Sequence, residues 1–227
     1  MPLPSAREFT IETGAGRVSA LLDAPERPWA GFVFAHGAGA GMRHPFMRSV
    51  AEGLAARGIA VLRFQFPYME QRAKRPDRPP VAHDAVRAAV AAAGAALPKL
   101  PLVAGGKSFG GRMTSQAQAL EPLPGVVGLA FFGFPLHAAG KPSDERAAHL
   151  FDVKVPMLFL QGTRDALADP KLLKPVAKKL GKRASLFLVE GGDHSFKVPA
   201  ASGRKPADVT VGLLDAFVAW ARSVRGD

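Results

Sequence analysis

The stretch LPLVAGGKSFGGRM, Leu100 to Met113, holds two chemistries in one turn. Gly106-Lys107-Ser108 is the ending of a phosphate-binding loop, G-x-x-x-x-G-K-[ST]. Gly106 to Gly110 is also G-x-S-x-G, a strand-to-helix turn that forces a serine out above a sheet. The phosphate loop needs a glycine at position 101, where the chain must fold back around its anion. That residue is Pro101, and Leu102-Val103-Ala104 read as strand interior. No room is left for a cradle, and no apolar strand ends in an aspartate suited to a second magnesium-binding motif. The serine turn needs a strand running straight into a helix. Gly106 and Gly110 stand at its two prescribed places, with Gly105 and Gly111 as further slack.

A serine hydroxyl is a weak nucleophile; it needs a base, and the base needs an orienting acid. For this kind of turn the chain order is serine, acid, histidine. His137, His149 and His194 follow Ser108. Only His194 stands in a loop directly after a late strand, behind Gly191 and Gly192. His149 falls in a short helix, with a surface role expected. His137 follows the Val126–Phe134 strand but precedes the candidate acid. Asp165 follows the strand MLFLQG after a short turn. Asp169 precedes Pro170 and reads as a helix N-cap, and Asp193 is His194's own neighbour. Ser108 is thus the expected nucleophile toward an acyl carbonyl, His194 its base and Asp165 the group that fixes the imidazole. The backbone N–H groups of Phe109 and of Ala38, within HGAGAG, are the expected oxyanion hole. His36 is expected to organise that loop rather than act as a second base. This chemistry calls for no cofactor and no metal.

These residues need elements to hold them. REFTIET and RVSALLDA read as a hairpin around Gly14 and Gly16. Further strands are AGFVFAHG, GIAVLRFQF, LPLVAGG, GVVGLAFFGFP, VPMLFLQG and SLFLVEGG. Between them lie helical patterns: Phe46 to Ala56, VAHDAVRAAVAAAGAAL, Phe109 to Leu120, DPKLLKPVAKKLG and PADVTVGLLDAFVAWARSV. The last carries Val211, Leu214, Val218 and Ala221 along one side. Ser143 is the expected N-cap of a short helix to Leu150. Such alternation means a mostly parallel sheet with helices on both faces, and ligands bind at the carboxyl ends of its strands. The glycine loop, the serine turn, Asp165 and His194 all stand at strand exits. No repeat or interdomain linker interrupts the chain, so one domain over 1–227 is expected.

Composition sets the outer limits. Of the 227 residues 48% are hydrophobic and 22% charged, ordinary for a globular domain. The absence of cysteine excludes disulfides, thiolate metal sites and a cysteine nucleophile. MPLPSAREFTIE has no leader pattern, and the near-apolar run Val126 to Leu136 is too short to span a bilayer. A cytoplasmic protein without a membrane partner is expected. The net charge of +11 raises nucleic acid as a partner. The basic stretches EQRAKRPDRPP and KLLKPVAKKLGKR interleave no aromatics for base stacking, and no zinc-finger spacing exists. A solvated basic surface is therefore expected, with no specific nucleic acid. Lys107, Arg112, Arg43, Arg63 and Arg72 either brace loops or bias the rim toward an anionic acyl substrate. Oligomeric state leaves no trace in the sequence.

Taken together, HGAGAGMRHPFM, RFQFPYME, GGKSFGGRM, FPLHAAGKP, LQGTRD and GGDHSF span nearly the whole chain. As a set they resemble the small α/β-hydrolases described as dienelactone-hydrolase-like. The likeness is greatest to the branch with bacterial predicted hydrolases and the hydrolase-like domains of animal testis-expressed and non-specific-lethal proteins. The resemblance implies an α/β-hydrolase fold, an eight-stranded sheet with one antiparallel strand near its start, and a triad at Ser108, Asp165 and His194. It also implies a serine hydrolase acting on a carboxylic ester or related acyl bond. Dienelactone hydrolases proper use cysteine where this chain has Ser108, so their substrate does not carry over. Some relatives serve in larger complexes, which makes a non-catalytic interaction module the alternative; a broken triad would mark it. Lids in this fold commonly follow the sixth strand. Pro135 to Lys154 offers only a loop and one small helix, so an open site for small or exposed acyl groups is expected.

Overall fold

The computed structural model describes residues 6–225. Residues 1–5, the start of the segment read above for a leader, lie outside the described residues, as do 226 and 227. The chain runs β1 (Arg7–Thr13), β2 (Gly16–Asp23), β3 (Ala30–Ala35), α1 (Pro45–Ala55), β4 (Ile59–Phe64), α2 (Pro67–Glu70) and α3 (Pro79–Ala96). It continues β5 (Leu102–Lys107), α4 (Phe109–Leu120), β6 (Val126–Phe132), β7 (Met157–Gly162), α5 (Pro170–Leu180), β8 (Ala184–Val189) and α6 (Pro206–Arg225). The strands form one eight-stranded sheet in the order β1-β2-β4-β3-β5-β6-β7-β8. Only β2 runs against its neighbours, pairing antiparallel with β1 and with β4; every other pairing is parallel.

The order reverses at β3. The chain first goes to β4 on one side, then crosses to β5 on the other. Loops leaving β3 and β5 therefore diverge and open a crevice at the carboxyl edge, where this architecture binds ligands. Strands β3 and β4 are buried at every residue. Their near-continuous apolar sequence is what a sheet covered on both faces requires. Alternation then sorts the core: Val33, Leu62 and Phe64 pack with α3 and α4, whereas Phe32, Phe34 and Val61 pack with α1 and α6. On the second face the Phe217 ring lies 4.7 Å from that of Phe32 and 6.1 Å from that of Phe132. Burying each such side chain stabilises by roughly 1.5–3 kcal/mol.

Two local readings are corrected and one element is added. Helix α6 buries Val209, Leu213, Leu214, Phe217, Trp220 and Ala221, and Val211 is exposed. At 100° per residue Val211 lies about 200° from Val209, so the stripe holding both Leu214 and Trp220 leaves it outside. The short helix after β6 is 3-10, from Glu145 to Phe151, with Asp144 at its N-cap; Ser143 Oγ accepts only the Glu145 N–H, at 3.2 Å. Helix α2 is an unforeseen turn that begins on Pro67, whose fixed φ suits a first helical position. Among the described residues no helix is long and apolar enough to cross a membrane.

Candidate active site

Strand β5 extends through Lys107, and α4 begins at Phe109, so Ser108 alone makes the turn. It holds φ 51° and ψ −115°, a conformation that costs a residue with a side chain about 1–3 kcal/mol. Close packing enforces it. A Cβ on Gly106 would lie 2.4 Å from the Ala35 carbonyl oxygen, and one on Gly110 would lie 2.4 Å from Ala35 O and 2.6 Å from His36 O. Only glycines let the start of α4 press against the end of β3. Gly105 likewise gives tight contact rather than slack: a Cβ there would fall 1.9 Å from Ala130 O.

The expected base and acid converge on this turn. His194, in the loop after β8, sets Nε2 2.9 Å from Ser108 Oγ, and its Nδ1 2.7 Å from Asp165 Oδ2. Donation from Nδ1–H to the carboxylate leaves Nε2 as the acceptor for the serine hydroxyl. Asp165 is buried; its Oδ1 accepts from the Leu167 N–H at 2.8 Å, and its Oδ2 also accepts from Gln161 Nε2. Gln161 closes the arrangement, since its Oε1 accepts from the Phe134 N–H at 2.8 Å. Sequence reasoning missed Gln161. Its signal was a fully buried amide at the end of a strand otherwise apolar from Met157 to Leu160. Asp193 serves the loop: its Oδ1 accepts from the N–H groups of Ser195 and Lys197, at 2.8 and 2.9 Å.

The glycine loop after β3 forms the opposite wall. His36 is fully buried, donates from Nδ1 to Gly37 O at 2.8 Å and accepts the Phe66 N–H at Nε2 at 3.0 Å. Burial pushes it down to about 4, so it stays neutral and organises the loop as expected. Tyr68 Oη accepts from the Gly39 N–H and Gln65 Oε1 from the Met42 N–H, at 3.1 and 2.9 Å. The Ala38 and Phe109 N–H groups donate to no protein acceptor among the described residues. Ala38 and Ser108 line one cleft of about 560 Å³, together with Phe46, Met47 and Leu167.

The other candidates lie elsewhere. His137 accepts the Asp169 N–H at Nε2 and donates to Ala138 O, both at 2.9 Å, bracing the turn that leads into α5. His149 is not a surface residue as expected: it is half-buried, 2.8 Å from Ser115 Oγ, and burial pushes it down to about 4. Arg63 is buried and bidentate to Asp23, and Arg43 pairs with Glu8 at 2.7 Å; both line a different cleft. Of the five basic residues considered for an anion-selective rim, only Lys107 lines the Ser108 cleft, and Lys197 joins it. Lys107 Nζ donates to His194 O at 2.6 Å, and burial pushes it down to about 8.

Residues 28–222 match the family described as the alpha/beta hydrolase domain. The chain belongs to the α/β-hydrolase family. The fold of this α/β-hydrolase is shared across nearly its whole length with solved structures of low identity. A Xanthomonas campestris α/β serine hydrolase without a lid superposes with TM-score 0.75 at 23% identity, over 97% of this chain and 98% of that one. A dienelactone hydrolase from Anabaena variabilis gives TM-score 0.73 at 21% identity, over 95% and 98%. A puromycin-hydrolysing peptidase from Mycobacterium tuberculosis gives 0.75 at 20%, over 97% of this chain and 40% of that one. The expected fold class is thereby borne out. The likeness to dienelactone hydrolases holds at the level of the fold.

Proposed function

We propose that this α/β-hydrolase is a serine hydrolase that cleaves a carboxylic ester or related acyl bond through an acyl-enzyme on Ser108. The observation that carries the reading is one chain of hydrogen bonds: Ser108 Oγ to His194 Nε2 at 2.9 Å, and His194 Nδ1 to the buried Asp165 at 2.7 Å. His194 takes the hydroxyl proton as Oγ bonds to the acyl carbon, and the carbonyl oxygen takes up the negative charge. The N–H groups of Phe109 and Ala38 stabilise that oxyanion. His194 then protonates the leaving oxygen or nitrogen, and the bond between it and the acyl carbon breaks. Water, deprotonated by the same imidazole, attacks the acyl-enzyme, and Ser108 regains its proton. The Asp165 carboxylate stabilises the imidazolium.

The substrate class follows from the cleft. Its lining includes Lys107, Lys197, His44 and His194 and no carboxylate, which favours acyl compounds carrying negative charge. Between β6 and β7 only a loop and the 3-10 turn Glu145–Phe151 intervene, which favours short or exposed acyl groups. The motif set keeps the branch with the testis-expressed and non-specific-lethal domains as the preferred affiliation. The test is a series of p-nitrophenyl esters of increasing chain length, followed with wild type and Ser108→Ala. Turnover of the short esters with loss of at least about 10³-fold in the variant is expected. Undiminished turnover in the variant refutes the assignment of Ser108, and faster turnover of the longest ester refutes the open site.

A further inference from the structure

Lys107 stands at the variable position of the serine turn, and the acyl-transfer steps above do not use it. Its side chain is nevertheless held. Nζ donates to the main-chain oxygen of His194 at 2.6 Å and lies 5.5 Å from the centre of the Phe196 ring. A Cβ on Gly133 would come within 2.9 Å of the same nitrogen. The ammonium therefore passes over the exit of β6 and joins the last residue of β5 to the loop after β8.

That loop is anchored at its start, where the Arg164 N–H donates to Gly192 O and the Gly191 N–H donates to Thr163 Oγ1, both at 2.8 Å, and beyond Gly192 it is tied mainly to itself. Asp193 caps Ser195 and Lys197, the Asp193 N–H donates to Lys197 O, and Phe196 holds φ 62°. Asp165 restrains the His194 ring at Nδ1. A ring held through its own nitrogens, by Asp165 and by the Ser108 hydroxyl, still pivots with its main chain. Lys107 grips that main chain on the strand that bears the serine, one residue before Ser108.

We propose that Lys107 is a positioning residue: its ammonium pins the His194 carbonyl to β5 and so sets the separation of Nε2 and Ser108 Oγ. The proposal rests on the acyl-enzyme reading. The position of the charge argues against a purely structural role. Burial drives the Lys107 ammonium down to about 8, although Asp165 and Asp193 oppose that shift. Keeping this side chain charged therefore opposes folding, and an apolar chain of the same length would avoid the cost. The charged and titratable groups facing it are Asp165 after β7, Asp193 and His194 after β8, and Lys197 and His44 across the cleft.

The sign of the pH effect separates the two roles. Below about 8 Lys107 carries its proton; above it a neutral amine is left, a weaker donor to His194 O. Activity falls through that window. The unfolded lysine keeps its proton to roughly 10.4, so its linkage term raises folding stability over the same window.

The experiment compares wild type, Lys107→Met, Lys107→Arg and Ser108→Ala. It measures the fluorophosphonate labelling rate and kcat and KM for p-nitrophenyl acetate from pH 6 to 10, with thermal melting alongside. Lys107→Met is expected to lose about 10–100-fold in kcat and labelling rate, with KM within about twofold and an unchanged or raised Tm. The wild-type decline near pH 8 should be absent in Lys107→Met and displaced upward in Lys107→Arg. Wild-type rates in Lys107→Met, or a rate loss that tracks a lowered Tm, overturns the proposal. If Lys107→Met does not fold, a decline near pH 8 that persists in Lys107→Arg overturns it. Labelling that is absent from wild type, or equal in Ser108→Ala, overturns the acyl-enzyme reading and the proposal with it.

Discussion

Gln161→Leu is the most informative single substitution, because Gln161 touches neither Ser108 nor His194. Its amide donates to Asp165 Oδ2, the oxygen that also receives His194 Nδ1–H, and its carbonyl accepts the Phe134 N–H. Leucine fills a similar volume and removes both bonds. Phe134 is fully buried, so its orphaned N–H costs about 1–3 kcal/mol. The buried carboxylate loses a hydrogen bond to a charged group, which contributes about 1.5–3 kcal/mol. Taking a total of about 3 kcal/mol, the Tm of a chain this size falls by roughly 6–12 °C. The carboxylate also gains freedom to rotate, and kcat should fall about tenfold while KM holds. Gln161→Glu separates the two bonds: it keeps an acceptor for Phe134 and sets a second carboxyl against Asp165. Its kcat should fall at least as far as that of the leucine variant. Differential scanning calorimetry and ester turnover read both. A Gln161→Leu protein that melts within about 2 °C of wild type and keeps its kcat would refute the role given to this amide.

Four further outcomes follow from the same geometry. Asp165→Asn should stay folded and lose about 10³–10⁴ in kcat, because the amide no longer favours the tautomer that leaves Nε2 free; circular dichroism and ester kinetics check it. Gly110→Ala sets a Cβ against the backbone oxygens of Ala35 and His36, and a lowered Tm with lost fluorophosphonate labelling is expected. His36 is buried and neutral with its folded value at about 4, whereas the unfolded histidine takes up a proton near 6.5. Stability is thus fully present above 6.5 and declines toward pH 4 by roughly 3 kcal/mol from this residue; urea titrations should show a shallower decline in His36→Asn. A carboxylated ester should exceed its neutral analogue in kcat/KM at low salt, with the advantage shrinking at high salt; an advantage independent of salt refutes the cleft's charge selection.

The convergence of Ser108, Asp165 and His194 was legible because each stands in the turn or loop that leaves an apolar strand, and a parallel sheet gathers its strand exits at one edge. The same property made β5 decisive: Pro101 and the uninterrupted run from Leu102 removed the phosphate loop. What stayed hidden depended on side-chain direction. Gln161 is polar within a strand, and its partner, the Phe134 N–H, lies on a neighbouring strand's exit. Arg63 reads as a loop brace or rim cation until its buried pairing with Asp23, 40 residues away, is seen. His149 looked exposed because Ser115, its partner, belongs to α4. Val211 misled because two overlapping apolar stripes run along α6, and only contact with Phe32 and Phe132 selects one. Gly105 and Gly111 signalled permissiveness, whereas their need is close approach by other backbones.

The central claim is a covalent intermediate on Ser108, and intact-mass spectrometry after fluorophosphonate treatment, with peptide mapping, tests it most directly. The account predicts one adduct per chain, mapped to Ser108, absent in Ser108→Ala and strongly slowed in His194→Ala. An unmodified wild-type chain, or an adduct that maps elsewhere and survives in Ser108→Ala, would contradict it.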